Sequence, residues 1–309
     1  MAMKVRTNAL PPHPIEATPA YKNYVTRTFI TNKGTLVRAM TRFLREMTPA
    51  PLRDITPLHV EQVLQRLTVQ GYEKSYIEKL YRRIAGFFGW CRDMGYIDTN
   101  PTQMVRPQIP DALFIPVVIP DIDVEAIHRF VMGRAVVEEI ILWGALRMGC
   151  RLSEICMATV EDALRDRSVQ DFLVDPRVVL KTKTTPRLAK QPRFALPAYK
   201  ALLTAKQNTP QAPLLYLAGV PIKDRKGNPN IEARCLVARS WFKWVQEQSV
   251  GEYRYTPKAT RSNFITKELQ NDPNKLLAVA AQCGNSVKVI QKNYFNYLNT
   301  PEFESAEND

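Results

Sequence analysis

Five of the twenty residues from Pro101 to Pro120 are proline, and no other feature of the sequence limits the fold as strongly. Each proline lacks a backbone donor and biases the residue before it away from helix. One continuous helical body therefore cannot run through this stretch. The 309 residues are enough to give a separate core to the part on either side. We expect an N-terminal extension at 1–25, a helical domain at 26–105, a linker at 106–121, a larger domain at 122–300 and an acidic tail at 301–309.

The first domain reads as helical throughout. Leu36, Met40, Phe43, Leu44 and Met47 recur at helical spacing. Thr56 and Pro57 then open a second helix, with threonine at the cap, proline in the first turn and Gly71 just past the end. A third, capped by Ser75 and stopped by Gly95, mixes Lys79, Arg82, Arg83 and Arg92 with Tyr81, Phe87, Phe88 and Trp90. The aromatics read as core. The cations read as a solvated face that is equally able to track a phosphate backbone. Beyond the linker, "DVEAIHRFV" and "VVEEIILWGALRMG" read as buried helices, and "RVVLKTKTTPRLAKQPRFALP" as a β-hairpin around a basic turn. The expected fold class is mainly α with a small antiparallel hairpin in the second domain.

Composition narrows the function. A formal charge of +13 and a pI of about 9.6 predict a polyanionic partner, most simply nucleic acid. The tail "PEFESAEND" carries acids and no base. No run approaches the ~20 apolar residues of a membrane span, and the start lacks the apolar region of a signal peptide, so a cytoplasmic protein without a membrane partner is expected. Cys91, Cys150, Cys156, Cys235 and Cys283 are odd in number and show no CxxC spacing, which suits reduced thiols. Three histidines, His13, His59 and His128, are too few for a histidine-rich metal site. No phosphate-binding or dinucleotide glycine pattern is present, which counts against nucleotide chemistry.

Four stretches offer chemistry. In "ALRMGCRLSEI", Arg151 and Glu154 are three apart, so the carboxylate can steady the guanidinium. The hairpin carries Lys181, Lys183 and Lys190. In "YTPKATRSNFITKEL", Lys258 and Arg261 sit at a helix start, an unfavourable place for two cations unless an anion lies between them. In "CGNSVKVIQKNYFNYLN", Asn285 precedes Tyr294 by nine residues, and Tyr297 follows three later.

In order and spacing these stretches resemble the tyrosine recombinase (phage integrase) family, over nearly the whole chain. Arg151-Leu152-Ser153-Glu154 is similar to its first arginine box and "TPKATRSNFIT" to its second, with Arg261 as the arginine. Asn285 falls where the family's histidine or tryptophan stands, and Tyr294 at the spacing of its nucleophile, which favours Tyr294 over Tyr297. Lys258, Ser262 and Asn285 replace frequent histidines, and no histidine follows His128.

The resemblance implies a two-domain clamp around double-stranded DNA. Tyr294 would attack a phosphodiester to give a 3′-phosphotyrosyl ester and a free 5′-hydroxyl, without metal or cofactor, because the ester conserves the energy of the bond. Arg151 and Arg261 would clamp the phosphate, as planar guanidinium forks do well. Lys258 could donate to phosphate or exchange a proton; Asn285 can donate a hydrogen bond but not a proton. Lys183 is favoured as donor to the leaving oxygen, with Lys181 the alternative. The family's assembly is a homotetramer on two DNA sites passing through a Holliday junction; accessory DNA-bending proteins are left open. Two alternatives stand: a DNA-binding protein of this fold that has lost cleavage, and a type IB topoisomerase-like enzyme.

Overall fold

A computed structural model describes residues 13–27, 33–105, 116–181 and 186–295. The chain divides into two compact units, Met1–Leu113 and Phe114–Asp309. It is mainly α-helical, with one two-stranded antiparallel sheet among the described residues. Among these residues no helix is long and apolar enough to cross a membrane.

The first unit has four helices among its described residues, α1 (Pro19–Arg27), α2 (Lys33–Arg45), α3 (Pro57–Val69) and α4 (Lys74–Asp93). Met40, Phe43 and Leu44 of α2, Val63 and Leu67 of α3, and Ile84, Phe87 and Phe88 of α4 share one core. Tyr21 and Tyr24 of α1 meet Phe87 edge-on, with centroids 5.8 and 5.4 Å apart. Thr56 caps α3 by accepting from the His59 backbone N–H. Ser75 does not cap α4 as expected. The helix begins two residues earlier, with Glu73 at the cap position, and Ser75 turns its hydroxyl to the Glu73 carboxylate. Tyr81, Phe87, Phe88 and Trp90 of α4 are buried or half-buried, whereas Lys79, Arg82, Arg83 and Arg92 are exposed.

The second unit is built around α6 (Val137–Arg147), whose residues from Ile140 to Leu146 are all buried. A helix apolar on every side must be covered on every side. Here α5 (Asp121–Arg134), α7 (Leu152–Cys156), α10 (Leu196–Lys206) and α12 (Pro257–Asn271) all pack on it. Between α7 and α10 come α8 (Val160–Leu164), α9 (Val169–Val174) and the strands β1 (Arg177–Leu180) and β2 (Arg187–Lys190). The strands pair antiparallel, with Leu180 opposite Arg187 and Val178 opposite Ala189. Helix α11 (Ile231–Ser249) packs on α5 and α7.

A smaller core joins Ile265 and Leu269 of α12 to Val279, Ala280 and Cys283 of α13 (Leu276–Cys283), Ile290 of α14 (Val287–Ile290) and Tyr294. Tyr294 lies in a π-helical turn, Gln291–Phe295, a geometry that recurs at functional sites.

Candidate functional site

Two helix ends make the frame. Helix α6 stops at Gly149, which has φ +72°, and a Cβ there would lie 2.6 Å from Phe264 and 2.8 Å from the Cys283 sulfur. Helix α13 stops at Gly284, with φ +62°. Both positions need the left-handed conformation that glycine adopts without cost.

At the end of α13 every carbonyl has a partner. Those of Ala280 and Ala281 accept from the backbone N–H groups of Asn285 and Gly284, the usual closure of a helix at glycine. The next three have no helical donor left, and each takes an arginine. Arg187 Nη1 donates to the Gln282 carbonyl. Arg261 Nη2 donates to that of Cys283, and Arg151 Nη2 to that of Gly284 at 3.0 Å. Cations at a helix C-terminus also meet the negative end of its dipole.

Around this seat Arg151, Glu154, Asn285 and Arg261 come together. Arg151 Nη1 lies 2.7 Å from Glu154 Oε1, and the Arg151 backbone N–H donates to Oε2 at 3.1 Å. Arg151 Nη2 also donates to Asn285 Oδ1 at 2.9 Å. Asn285 thus spends its oxygen on Arg151, and its amide N–H donors are the remaining chemistry of that side chain. Arg261 is buried, and its Nη1 donates to the Gly149 carbonyl at 2.7 Å, so one guanidinium joins the ends of α6 and α13. Burial pushes its pKa below the usual arginine value, with Arg151 and Arg187 acting in the same direction. Burial also pushes the Cys283 thiol up to about 11.

Lys258 and Arg261 start α12 as expected, but they part company. Lys258 is exposed, whereas Arg261 turns inward to backbone carbonyls. The discomfort of two cations at a helix start is therefore relieved on Arg261 by main-chain oxygens. Tyr294 is buried, its hydroxyl 3.3 Å from that of Ser262, the residue after Arg261. Lys181 pairs with buried Asp162 at 2.8 Å, and Asp162 also caps α8 through Thr159. Lys190 meets Gln282 through its backbone. Lys183 and Tyr297 lie outside the described residues.

The sequence did not single out Arg187. It stands on the inward face of β2 with Ala189, and its Nη2 lies 2.5 Å from Glu154 Oε2. Strand alternation was the available signal, but alone it fits an inward Leu188 equally well. Arg151 and Arg187 thus share the carboxylate of Glu154, and with Arg261 the group carries two positive charges beyond it. A cleft of about 1370 Å³ opens beside this group, lined by Arg151, Glu154, Lys181, Tyr216, Lys223 and Gly284 among others. Among the described residues no group of three or more His, Cys, Asp or Glu side chains is placed to hold a metal ion.

No protein-family model and no curated protein matches the chain. Solved structures do. A lambda integrase dimer bound to a COC′ core site is similar over 90% of this chain and 94% of that one, at 13% identity and a TM-score of 0.59. The Tn1549 transposon integrase in complex with a circular intermediate DNA is similar over 93% and 96%, at 16% identity and 0.55. A lambda integrase tetramer bound to a Holliday junction is similar over 89% and 76%, at 14% identity and 0.57. These likenesses establish a fold shared with tyrosine recombinases.

Proposed function

We propose that the chain is a DNA recombinase or integrase of the tyrosine type, acting at defined sites. The observation that carries this reading is the cationic group on the α13 seat, with two charges more than its carboxylate, next in sequence to the residue that holds Tyr294. Such a group is suited to a phosphate on which charge accumulates.

In this reading Arg151 and Arg261 clamp the non-bridging oxygens, and Glu154 orients Arg151. Asn285 and Lys258 add hydrogen-bond donors. The Tyr294 hydroxyl gives its proton to water, a loss the neighbouring cations favour; its oxygen forms a bond to phosphorus as the bond to the 5′-oxygen breaks, and a hairpin lysine, Lys183 or Lys181, protonates that oxygen. Lys181 must release Asp162 to serve, which favours Lys183. The released 5′-hydroxyl of the partner strand reverses the step, so the ester supplies the energy of rejoining. The π-turn must open to bring Tyr294 away from Ser262. A helical DNA-binding domain in the first unit, a linker and a catalytic domain in the second, and a tetramer on two sites with a Holliday-junction intermediate complete the proposal.

A second reading, a DNA-binding protein that no longer cuts, is favoured by the burial of Tyr294 and the lack of histidine after His128. One experiment separates them. The protein, Tyr294→Phe and Tyr297→Phe are incubated with fragments of the source DNA, and protein-linked DNA is recovered after SDS. Adducts from a few fragments, lost in Tyr294→Phe alone, are expected. Specific binding with no adduct would install the second reading, and adducts from every fragment a topoisomerase-like one.

A further inference from the structure

We propose that Arg187 is a positioning residue of the phosphate clamp: it offsets the charge of Glu154 and ties that carboxylate to the end of α13, so that Arg151 remains available to an anion. The inference rests on the recombinase reading.

The Arg187 side chain is largely withdrawn from solvent, at a cost that its own strand does not explain. Its side chain is 10% exposed, and its Cα partner across the sheet is the core residue Leu180. Its Nε is buried without a hydrogen-bond partner. That nitrogen lies where a Cβ on Gly284 would come within 2.5 Å, so the guanidinium packs directly over the glycine. A buried N–H left unpaired is unfavourable. What the side chain gains lies at its fork, where Nη2 meets Glu154 Oε2 and Nη1 meets the Gln282 carbonyl.

The consequence follows from charge. Glu154 is buried and reaches Arg151 through both oxygens. Without Arg187 the two would form a closed one-to-one pair, and a guanidinium neutralised by a buried carboxylate attracts a phosphate weakly. With Arg187 on Oε2 the carboxylate is shared between two cations, and Arg151 keeps part of its charge for the cleft. The same fork joins β2 to α13, which fixes the carbonyls on which Arg151 and Arg261 rest.

The test compares Arg187→Gln, Glu154→Gln and the double variant with the wild type, reading adduct formation, DNA affinity and thermal melting with and without tungstate, a tetrahedral oxyanion. Arg187→Gln is expected to slow adduct formation by roughly 10²-fold, the scale of a misplaced catalytic group, while DNA affinity holds. The double variant should recover part of that rate, because removing the carboxylate charge removes the need to offset it. A merely structural arginine predicts no recovery. Equal loss in single and double variants, or affinity falling in step with rate, would overturn the proposal. If Arg187→Gln melts too low to assay, Arg187→Lys keeps the charge without the fork and should retain an intermediate rate; a full wild-type rate there would overturn the tie to α13. A wild type that makes no adduct refutes the recombinase reading, and tungstate then decides for Arg187. Stabilisation of the wild type that is reduced in Arg187→Gln supports it; equal stabilisation, or none in the wild type, overturns it.

Discussion

Replacing Gly284 with alanine should damage the second unit through two separable effects. The backbone there has φ +62°, and forcing an L-residue into the left-handed region costs about 1–2 kcal/mol. The added Cβ would also lie 2.5 Å from Arg187 Nε and 2.6 Å from its Cδ, so the guanidinium must move off the seat. That movement breaks its bond to Glu154, a charge-assisted contact worth about 1.5–3 kcal/mol. Taken together the loss is about 4 kcal/mol, or a melting temperature lower by roughly 8–16 °C for a unit of this size. Urea unfolding of Gly284→Ala, Arg187→Ala and the double variant forms a cycle that measures each part. In the Arg187→Ala background the alanine should cost only the backbone share, about 1–2 kcal/mol. An equal cost in both backgrounds would refute the packing of Arg187 over Gly284.

Two further outcomes are expected, one from half-buried His128 and one from buried Arg234. His128 accepts from the Trp143 indole at 3.3 Å and lies edge-on to Phe194, and burial, then nearby Arg147, holds its pKa below the ordinary histidine value, against a smaller opposing effect of Glu125. The unfolded chain therefore takes up the proton first as pH falls. The histidine's stability contribution is complete above about pH 6.5 and declines below it; melting temperature should drop over that range, less so in His128→Gln, and an unchanged slope would refute the assignment. Arg234 is fully buried and donates to three backbone carbonyls, those of Cys156 at 2.6 Å, Leu215 at 2.7 Å and Val220. Arg234→Met leaves all three unsatisfied, and urea unfolding should show a loss of roughly 3–5 kcal/mol; a near-neutral result would mean that water or another donor replaces the guanidinium.

Local features were legible in the sequence because local spacing causes them. Arg151 and Glu154 meet because three residues separate them at a helix start, and α6 is buried because it is apolar on every face. The partners of Arg261 lie 112 and 22 residues away and are backbone oxygens, which carry no sequence signature. The pair Lys258 and Arg261 therefore read as two cations waiting for an anion, when one of them is anchored by main chain. Arg187 escaped for a related reason. A four-residue strand gives too short an alternation to say which face is inward, and its partner Glu154 is 33 residues away. Ser75 read as a cap from residue type alone, and a two-residue shift in the helix start was enough to displace it.

The seat for the three arginines also determines which kinds of change the site can absorb. Because the oxygens of Gln282, Cys283 and Gly284 belong to the peptide chain, swapping the side chains of Gln282 or Cys283 leaves the carbonyl seats themselves in place. A change of length acts otherwise. One residue gained or lost within α13 turns all that follows by about 100° and presents each guanidinium with the wrong oxygen or none. Gly284 apart, where a side chain would strike Arg187, the seat is thus indexed by position along a helix rather than by the letters written there, and its oxygens survive a change of side chain where they do not survive a slip in count.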